Sequence, residues 1–369
     1  MSEIAVHPGF ARRPAAAGQS QPDDQATRLR AIVEAAERRS GDPHPPAPTS
    51  GRARGLPHDV HPRRRAKVIS VSSGKGGVGK TNASVNMSIA LAQSGVRTIL
   101  LDADLGMANA DVLCGVTPTR RLEHFIGVSD LAPDGRPRTP QDAAALAERS
   151  LRDLAVDAPG GFRLIPGSVG VARMAELSSR EQARLIAGLV ELDRDADTIV
   201  VDTGAGLGRE VIAFIETADL ALIIATPEPT SIADAYALIK CATRHAARAH
   251  GLRASEAGAG PRMALVVNQA TSRTEAAAVH ARINAVASRF LGITLPMLGW
   301  IAQDARVGAA VRARRPVLLD SPGCAASRDL VSLAAATWAF LAPSPETGGP
   351  EKSQGGLSGW LSRLVLRGS

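Results

Sequence analysis

Two lysines in one glycine-rich stretch are the residues of this sequence best placed to bind phosphate. Residues 74–81 read GKGGVGKT, which matches the pattern G-x-x-x-x-G-K-[ST]. In such a loop, glycines let backbone N–H groups close around phosphate oxygens, and the N-terminus of the following helix adds partial positive charge. Lys80 is expected to bridge the β and γ phosphates of a nucleotide, and the Thr81 hydroxyl to bind Mg²⁺. The expected nucleotide contacts are Gly74, Gly76, Gly77, Val78, Gly79, Lys80, Thr81 and Asn82.

Carboxylates follow two apolar runs elsewhere in the chain and have the chemistry to complete such a site. Asp202 comes directly after TIVV in DTIVVDTGAG, and we expect it to hold Mg²⁺ through water. Asp102 and Asp104 end the run TILLDAD, and one of the two could orient an attacking water. Capping of a strand end is the alternative role for all three carboxylates.

Short apolar runs alternate with helical patterns from residue 67 onward. The runs are KVISVSS, TILLDAD, FRLIPG, DTIVVDT, LALIIATP, MALVVNQ and PMLGWI, and helices are expected over 81–94, 178–192, 230–250 and 272–290. The runs are continuously apolar, which is typical of strands buried on both faces of a parallel sheet. The sequence therefore predicts an α/β fold, a doubly wound and mostly parallel sheet with helices on both faces, and ligands at the carboxyl ends of its strands.

Composition narrows the class of protein. Of 369 residues, 44% are hydrophobic and 3% aromatic, which predicts a globular core of small and aliphatic side chains. Three scattered cysteines form no C-x-x-C pair, which argues against an iron–sulfur carrier and favours a reducing cytosol. No apolar run reaches the ~18 residues of a membrane span, and no signal peptide is expected. Residues 1–67 contain 12 Lys/Arg and 7 Asp/Glu, so they carry +5 of the formal charge of +7, which weakens the case for direct nucleic-acid binding.

Segments at both ends differ in composition from the predicted α/β domain, which we place at 67–343. Residues 1–66 are expected to be a flexible extension with a helix at about 23–39 and a Pro/Arg-rich linker, and residues 127–150 a surface insertion without assigned function. The apolar stripe of the 23–39 helix needs another surface, which is either a partner or the protein's own core.

The segment 344–369 is expected to be a linker followed by a short amphipathic helix. Its apolar stripe consists of Leu357, Trp360, Leu361, Leu364 and Val365, with arginines among the polar positions. Trp on an apolar face opposite Arg is typical of a helix lying at an anionic membrane surface. Packing of this segment on its own protein is the alternative.

The loop K-G-G-V-G-K-T, with its first lysine, resembles the deviant Walker A signature of the MinD/ParA class of ATPases. The resemblance implies ATP or ADP with Mg²⁺ as ligands and an ATP-dependent homodimer, in which Lys75 reaches the phosphates bound by the other subunit. DADLGMANADVLCG is similar to switch I of the class, which implies that Asp104 lies near the nucleophilic water and Asn109 near that water or the ribose. DTGAGLG is similar to switch II, and VVNQ places Asn268 at the adenine. The adenine loop of the class usually has a proline where this chain has Ala302.

Three further stretches resemble the FlhG branch of this class, whose members control flagellar number and placement. They are GKTN at 79–82, ATPEPTSIADAYALIK at 225–240 and DQATRLR at 24–30. The last is similar to the motif with which FlhG activates FlhF, a GTPase of the signal-recognition-particle type. The resemblance implies activating contacts by Asp24, Gln25, Ala26, Leu29 and Arg30, with Gln25 inserted near the partner's GTP.

The function expected from the sequence is that of a MinD-like ATPase acting at the inner face of the cytoplasmic membrane in its ATP state. FlhF, flagellar C-ring or basal-body proteins and a flagellar transcription regulator are the expected partners. The alternative is a DNA-partitioning ATPase of the ParA type, for which VRARR at 311–315 would be a basic patch. A metabolic kinase would need an acceptor site that the sequence does not show.

Overall fold

An eight-stranded sheet forms the centre of this computed structural model, which describes residues 65–104, 108–126, 150–168, 191–249 and 261–342, together with 139, 141 and 188. The strands are β1 (Lys67–Ser73), β2 (Thr98–Ala103), β3 (Val156–Asp157), β4 (Arg163–Ile165), β5 (Thr198–Ala205), β6 (Leu220–Ala225), β7 (Met263–Ala270) and β8 (Met297–Ala302). Their order across the sheet is β3-β4-β2-β5-β1-β6-β7-β8, and every neighbouring pair is parallel except β3 and β4.

All seven apolar runs form strands, so the predicted doubly wound α/β fold is confirmed. The sequence did not predict β3, because two residues give no periodic signal; β3 exists through its antiparallel pairing with β4. β1 lies between β5 and β6, with β2 beyond β5 and β7 beyond β6. This order brings the carboxyl ends of five parallel strands together around the glycine-rich loop after β1.

Helices cover both faces of the sheet. They are α1 (Lys80–Gln93), α2 (Ala110–Cys114), α3 (Leu122–Ile126), α4 (Arg209–Thr217), α5 (Pro229–Ala249), α6 (Arg273–Leu291), α7 (Ala305–Arg312), α8 (Val317–Asp320) and α9 (Ala325–Leu341). Alternate residues of β6 point to opposite faces: Leu222 and Ile224 pack in the apolar cluster of α1 and α9, whereas Ala221 and Ile223 pack in that of α4, α5 and α6.

Helix α1 is buried along most of its length, including its polar residues Ser84, Asn86 and Ser88. Ser88 Oγ donates to the Ser84 carbonyl, and Asn86 Oδ1 accepts the backbone N–H of Leu318 at 2.9 Å. Because these polar groups are paired, α1 can lie against the sheet and under α9 without an exposed face. The helix that follows the loop is thereby held rigidly.

Several predicted segments lie outside the described residues. These are the 23–39 helix, nearly all of the 127–150 insertion, the C-terminal helix and most of the expected 178–192 helix. The predicted helices near 81–94, 230–250 and 272–290 correspond to α1, α5 and α6, with ends shifted by one residue. The domain boundaries therefore stay predictions.

Candidate nucleotide site

The loop between β1 and α1 has the conformation that its glycines were expected to allow. Gly77 and Gly79 have φ angles of 77° and 92°, in the left-handed region that other residues rarely adopt. Gly79 is also the N-cap of α1, so the helix begins at Lys80 with unpaired backbone N–H groups facing the loop. These groups form the anion-binding end of a 14-residue helix.

Lys80 is buried at the start of α1, with 8% of its surface exposed. Burial lowers the pKa of Lys80, while the charges of Asp202 and Asp104 oppose that shift. An ammonium in this position is poorly hydrated and has two carboxylates nearby. It is thus poised to bind the phosphates of a nucleotide.

Asp202 lies at the carboxyl end of β5 and is completely buried. Its Oδ1 accepts the Ser84 hydroxyl at 3.0 Å, whereas its Oδ2 is buried without a hydrogen-bond partner among the described residues. Burial raises the pKa of Asp202 to about 6, against the opposing effects of Thr81 and Lys80. A buried carboxylate oxygen without a partner, close to a threonine hydroxyl, fits a water-bridged Mg²⁺.

No group of three or more His, Cys, Asp or Glu residues that could hold a metal ion occurs in the described part of the chain. A Mg²⁺ held by Thr81 and Asp202 would therefore need nucleotide phosphates as further ligands, as Mg²⁺ sites in phosphoryl-transfer proteins commonly do. The predicted metal ligands are at least compatible in position and chemistry with that role.

Asp102 and Asp104 make different contacts in the structure; by residue type either could orient water, and the resemblance to switch I pointed to Asp104. Asp102 Oδ2 accepts the backbone N–H groups of Asn109 at 2.9 Å and Ala110 at 3.0 Å, and its Oδ1 accepts that of Asp104 at 3.2 Å. Asp102 thus closes the switch I segment and holds the start of α2. Burial first, and then the charge of Asp202, raises the pKa of Asp102 to about 7.

Asp104 lies toward the nucleotide loop and switch II. Its charge acts on Lys80, and a Cβ on Gly204 of switch II would lie 3.6 Å from Asp104 Oδ1. The predicted role of Asp104 in orienting a water molecule stays a prediction. Asn109 is the N-cap of α2 and is exposed, so its predicted contact with ribose or water stays a prediction.

Asn268 braces the glycine-rich loop from the end of β7. Its Nδ2 donates to the Val78 carbonyl at 2.7 Å, and its Oδ1 accepts the backbone N–H of Gln269 at 2.9 Å. A Cβ on Gly79 would lie 2.4 Å from Asn268 Nδ2, so only glycine permits this approach. Sequence reasoning expected an adenine contact from Asn268 and missed the brace, because the 190 residues between Val78 and Asn268 give no sign that they meet.

Lys75 lies on the outer side of the loop, away from the buried site of Lys80. Its ammonium donates to Glu228 Oε2 at 2.6 Å and to Thr230 Oγ1 at 2.9 Å. Side-chain exposure is 37% for Lys75 and 63% for Glu228. The loop thus carries one buried lysine directed inward and one accessible lysine at its rim.

The other predicted contact residues lie outside the described residues. They are the N-terminal group Asp24, Gln25, Ala26, Leu29 and Arg30, and the C-terminal group Leu357, Trp360, Leu361, Leu364 and Val365. Within the described ranges, no helix has the length and apolar character needed to cross a bilayer. The activating and membrane contacts are taken up below as proposals.

Comparison with known proteins identifies the fold and the family of this chain. A family model described as an AAA domain matches residues 66–249. Solved structures of similar fold include the cell division ATPase MinD of Pyrococcus furiosus, with a TM-score of 0.54, 20% identity and coverage of 74% of this chain and 99% of that one. A ParA family ATPase from Chlorobium tepidum also gives 0.54, with 20% identity, over 73% of this chain and 98% of that one. The fold is thus that of the P-loop ATPases of the MinD/ParA class.

Sequence relatives narrow the class further. The antiactivator FleN of Pseudomonas aeruginosa is 40% identical over 268 residues, which span 73% of this chain and 84% of FleN. The flagellum site-determining protein YlxH of Helicobacter pylori is 29% identical over 81% of this chain and 90% of its own length. The chain belongs to the FleN/YlxH (FlhG) family of MinD-like ATPases, as the sequence motifs indicated.

We predict that replacing Asn268 by alanine lowers nucleotide affinity by about tenfold, because loss of a buried hydrogen bond of this kind costs roughly 1–3 kcal/mol. Titration calorimetry with ADP would measure the change. Asn284→Ala is the matched control, since its side chain likewise accepts a backbone N–H, at 2.8 Å, but on α6. An Asn268→Ala affinity equal to that of Asn284→Ala would contradict the bracing role.

The buried Asp102 carboxyl also predicts a pH dependence for the protein without nucleotide or Mg²⁺. Its pKa is raised from 3.8 to about 7. Between these values the folded protein keeps a proton that the unfolded chain has released, so the free energy of unfolding falls as the pH rises from about 4 to about 7. Urea unfolding at several pH values should show this decline, and Asp102→Asn should make it less steep, with the raised pKa of Asp202 supplying the remainder; Asp157→Asn, an exposed control on β3, should leave the slope unchanged. Equal pH slopes for wild type and Asp102→Asn would refute the assignment.

Proposed function

We propose that this protein is an ATPase that hydrolyses ATP to ADP and phosphate with Mg²⁺, dimerises with ATP, and regulates flagellar number and placement. The observation that carries the proposal is the different exposure of two lysines in one loop. Lys80 is buried between the loop and two carboxylates, while Lys75 is accessible at the rim. A site built only to bind nucleotide would need Lys80 and not Lys75.

Five side chains and the N-terminus of α1 would contribute to hydrolysis. Lys80 and the N-terminus of α1 bind the phosphates and neutralise charge that develops on them. Thr81 and Asp202 are the residues that would hold Mg²⁺, and the ion would supply further charge neutralisation. Asp104 orients the attacking water, and Asp102 keeps switch I closed so that Asp104 stays in position. A solved MinD structure from Pyrococcus horikoshii carries Mg-ADP, which supports the choice of ligands.

The relatives support a flagellar role over DNA partitioning. FleN is an antiactivator and YlxH a flagellum site-determining protein, whereas the ParA-type match, at 20% identity, extends to the fold alone. The basic run 311–315 covers the last two residues of α7 and the three that follow, all five residues are exposed, and Arg315 lies 3.9 Å from Asp320. Such a run is a solvated helix end carrying its own counter-charge. C-ring or basal-body proteins and a flagellar transcription regulator are the further partners that we propose.

Dimerisation is assigned to Lys75. We expect Lys75→Ala to bind ATP as a monomer, because Lys80 and α1 are intact, and to fail to dimerise. Sedimentation velocity with a non-hydrolysable ATP analogue would measure the dimer fraction. Lys240→Ala removes the same charge from α5 and should dimerise like the wild type. ATP-driven dimers of Lys75→Ala would remove this role.

Membrane association is assigned to the C-terminal segment. One short helix buries few side chains and should bind anionic lipid weakly, while two copies on a dimer gain by effective concentration. Intact protein should sediment with anionic liposomes in ATP and remain in solution in ADP, and removal of residues 356–369 should abolish sedimentation. Ser362→Ala, which leaves the apolar stripe intact, is the control. Binding to DNA and not to liposomes would favour the partitioning alternative.

Stimulation of FlhF is assigned to the N-terminal motif. Gln25→Ala, or removal of residues 1–40, should leave ATP hydrolysis intact and abolish stimulation of the partner's GTPase. The physical reason is that Gln25 would help to position water at the partner's GTP, as glutamines do in other GTPase sites. Gln21→Ala lies outside the motif and serves as the control. Unchanged stimulation by the Gln25→Ala protein would end the activator role.

A further inference from the structure

The contact of Lys75 with its own subunit is the feature that the proposed function does not use. Glu228 and Thr230, which bind the ammonium, lie at the start of α5, immediately after β6. We propose that Glu228 and Thr230 are positioning residues that retain Lys75 in the unpaired subunit, so that dimerisation must exchange the Glu228 carboxylate for phosphate on the partner. This inference rests on the proposed crossing of Lys75 between subunits.

The backbone around this contact is fixed on both sides. Ser73 Oγ donates to the Lys75 carbonyl at 2.7 Å, which holds the main chain of the loop at that point. A Cβ on Gly74 would lie 2.1 Å from the carbonyl oxygen of Asp234, so the loop and α5 touch backbone to backbone. The ammonium and the carboxylate are therefore brought together by the packing of two rigid elements. This ion pair therefore differs from one between two long side chains that move freely at the surface.

Solvent exposure of Lys75 and Glu228 allows another anion to replace the Glu228 carboxylate at the Lys75 ammonium. Lys75 and Glu228 are both open to solvent, so an anion from outside can reach the ammonium. Two of the three N–H donors of Lys75 are directed to Glu228 and Thr230. If Glu228 stayed bound while Lys75 crossed, its carboxylate would be carried toward the partner's phosphates and repel them. Release of Glu228 is therefore part of dimer formation.

A triphosphate carries more negative charge than one carboxylate, and it competes for the ammonium better than a diphosphate does. The contact of Lys75 with Glu228 therefore opposes dimerisation, and ATP overcomes that opposition more readily than ADP does. An exposed ion pair shifts an equilibrium by about 1.4- to fivefold. Because two such contacts open for each symmetric dimer, the expected effect on the dimer dissociation constant is about two- to twenty-fivefold.

Sedimentation velocity with a non-hydrolysable ATP analogue tests the proposal. Glu228→Gln keeps the size of the side chain and one acceptor oxygen but removes its charge, and it should lower the dimer dissociation constant by the amount just given. Thr230→Val should lower it less, because a neutral acceptor is lost. Asp157→Asn removes a carboxylate from the edge strand β3, far from β6 in the sheet, and should leave the dimer dissociation constant unchanged. A Glu228→Gln dimer as weak as the wild-type dimer, or weaker, overturns the proposal.

Chemical labelling supplies a second readout in the monomer. In the ADP-bound protein, acetylation of Lys75 by an N-hydroxysuccinimide ester, followed by mass spectrometry, should be faster in Glu228→Gln than in the wild type, with Lys240 as the internal reference. Equal rates would overturn the retention of Lys75. Failure of the proposed function has a different signature, which is dimerisation of Lys75→Ala with the ATP analogue. In a Lys75→Ala background, adding Glu228→Gln should not change sedimentation, and the protein should stay monomeric.

Discussion

Burial of opposite charges at the carboxyl edge of the sheet is the constraint on which the rest of the structure depends. Lys80, Asp102 and Asp202 are all withdrawn from water at the ends of β2 and β5 and the start of α1. Burial shifts the pKa of the lysine down and the pKa of each carboxyl up, so each group alone is held in an unfavourable medium. Phosphate and Mg²⁺ would bring the charges that this cluster lacks. A bound nucleotide with Mg²⁺ would therefore compensate part of the cost of burying these groups.

The surrounding elements serve to keep that site in place. Asn268 braces the loop through Val78, and Asp102 closes switch I through three backbone N–H groups. Gly74 allows the loop to touch α5, which connects the buried lysine's loop to the residues that hold Lys75. A change at the phosphates can thus reach the rim of the loop through one short segment. This continuity is what makes a link between nucleotide state and dimerisation physically reasonable.

The sequence predicted features that depend on local pattern. Seven continuous apolar runs predicted seven strands, and the motif at 74–81 predicted the loop between a strand and a helix. Features that depend on strand order were not predictable. The contact of Lys75 with Glu228 spans 153 residues and exists because β6 lies beside β1. The role of Asp102 likewise needed the structure: the resemblance to switch I pointed to Asp104, but nothing in the sequence indicated that Asp102 accepts the backbone N–H groups of Asp104, Asn109 and Ala110.

The central claim is that Lys75 acts on nucleotide bound by the other subunit, and mixed dimers test it most directly. Lys75→Ala and Asp104→Ala proteins should each be inactive in ATP hydrolysis. In a mixed dimer, the site of the Lys75→Ala subunit keeps its own Asp104 and receives an intact Lys75 from the partner. The account predicts that mixing the two inactive proteins restores ATP hydrolysis. A mixture that stays inactive at concentrations where mixed dimers are seen by sedimentation would contradict it, because Lys75 would then act within its own subunit.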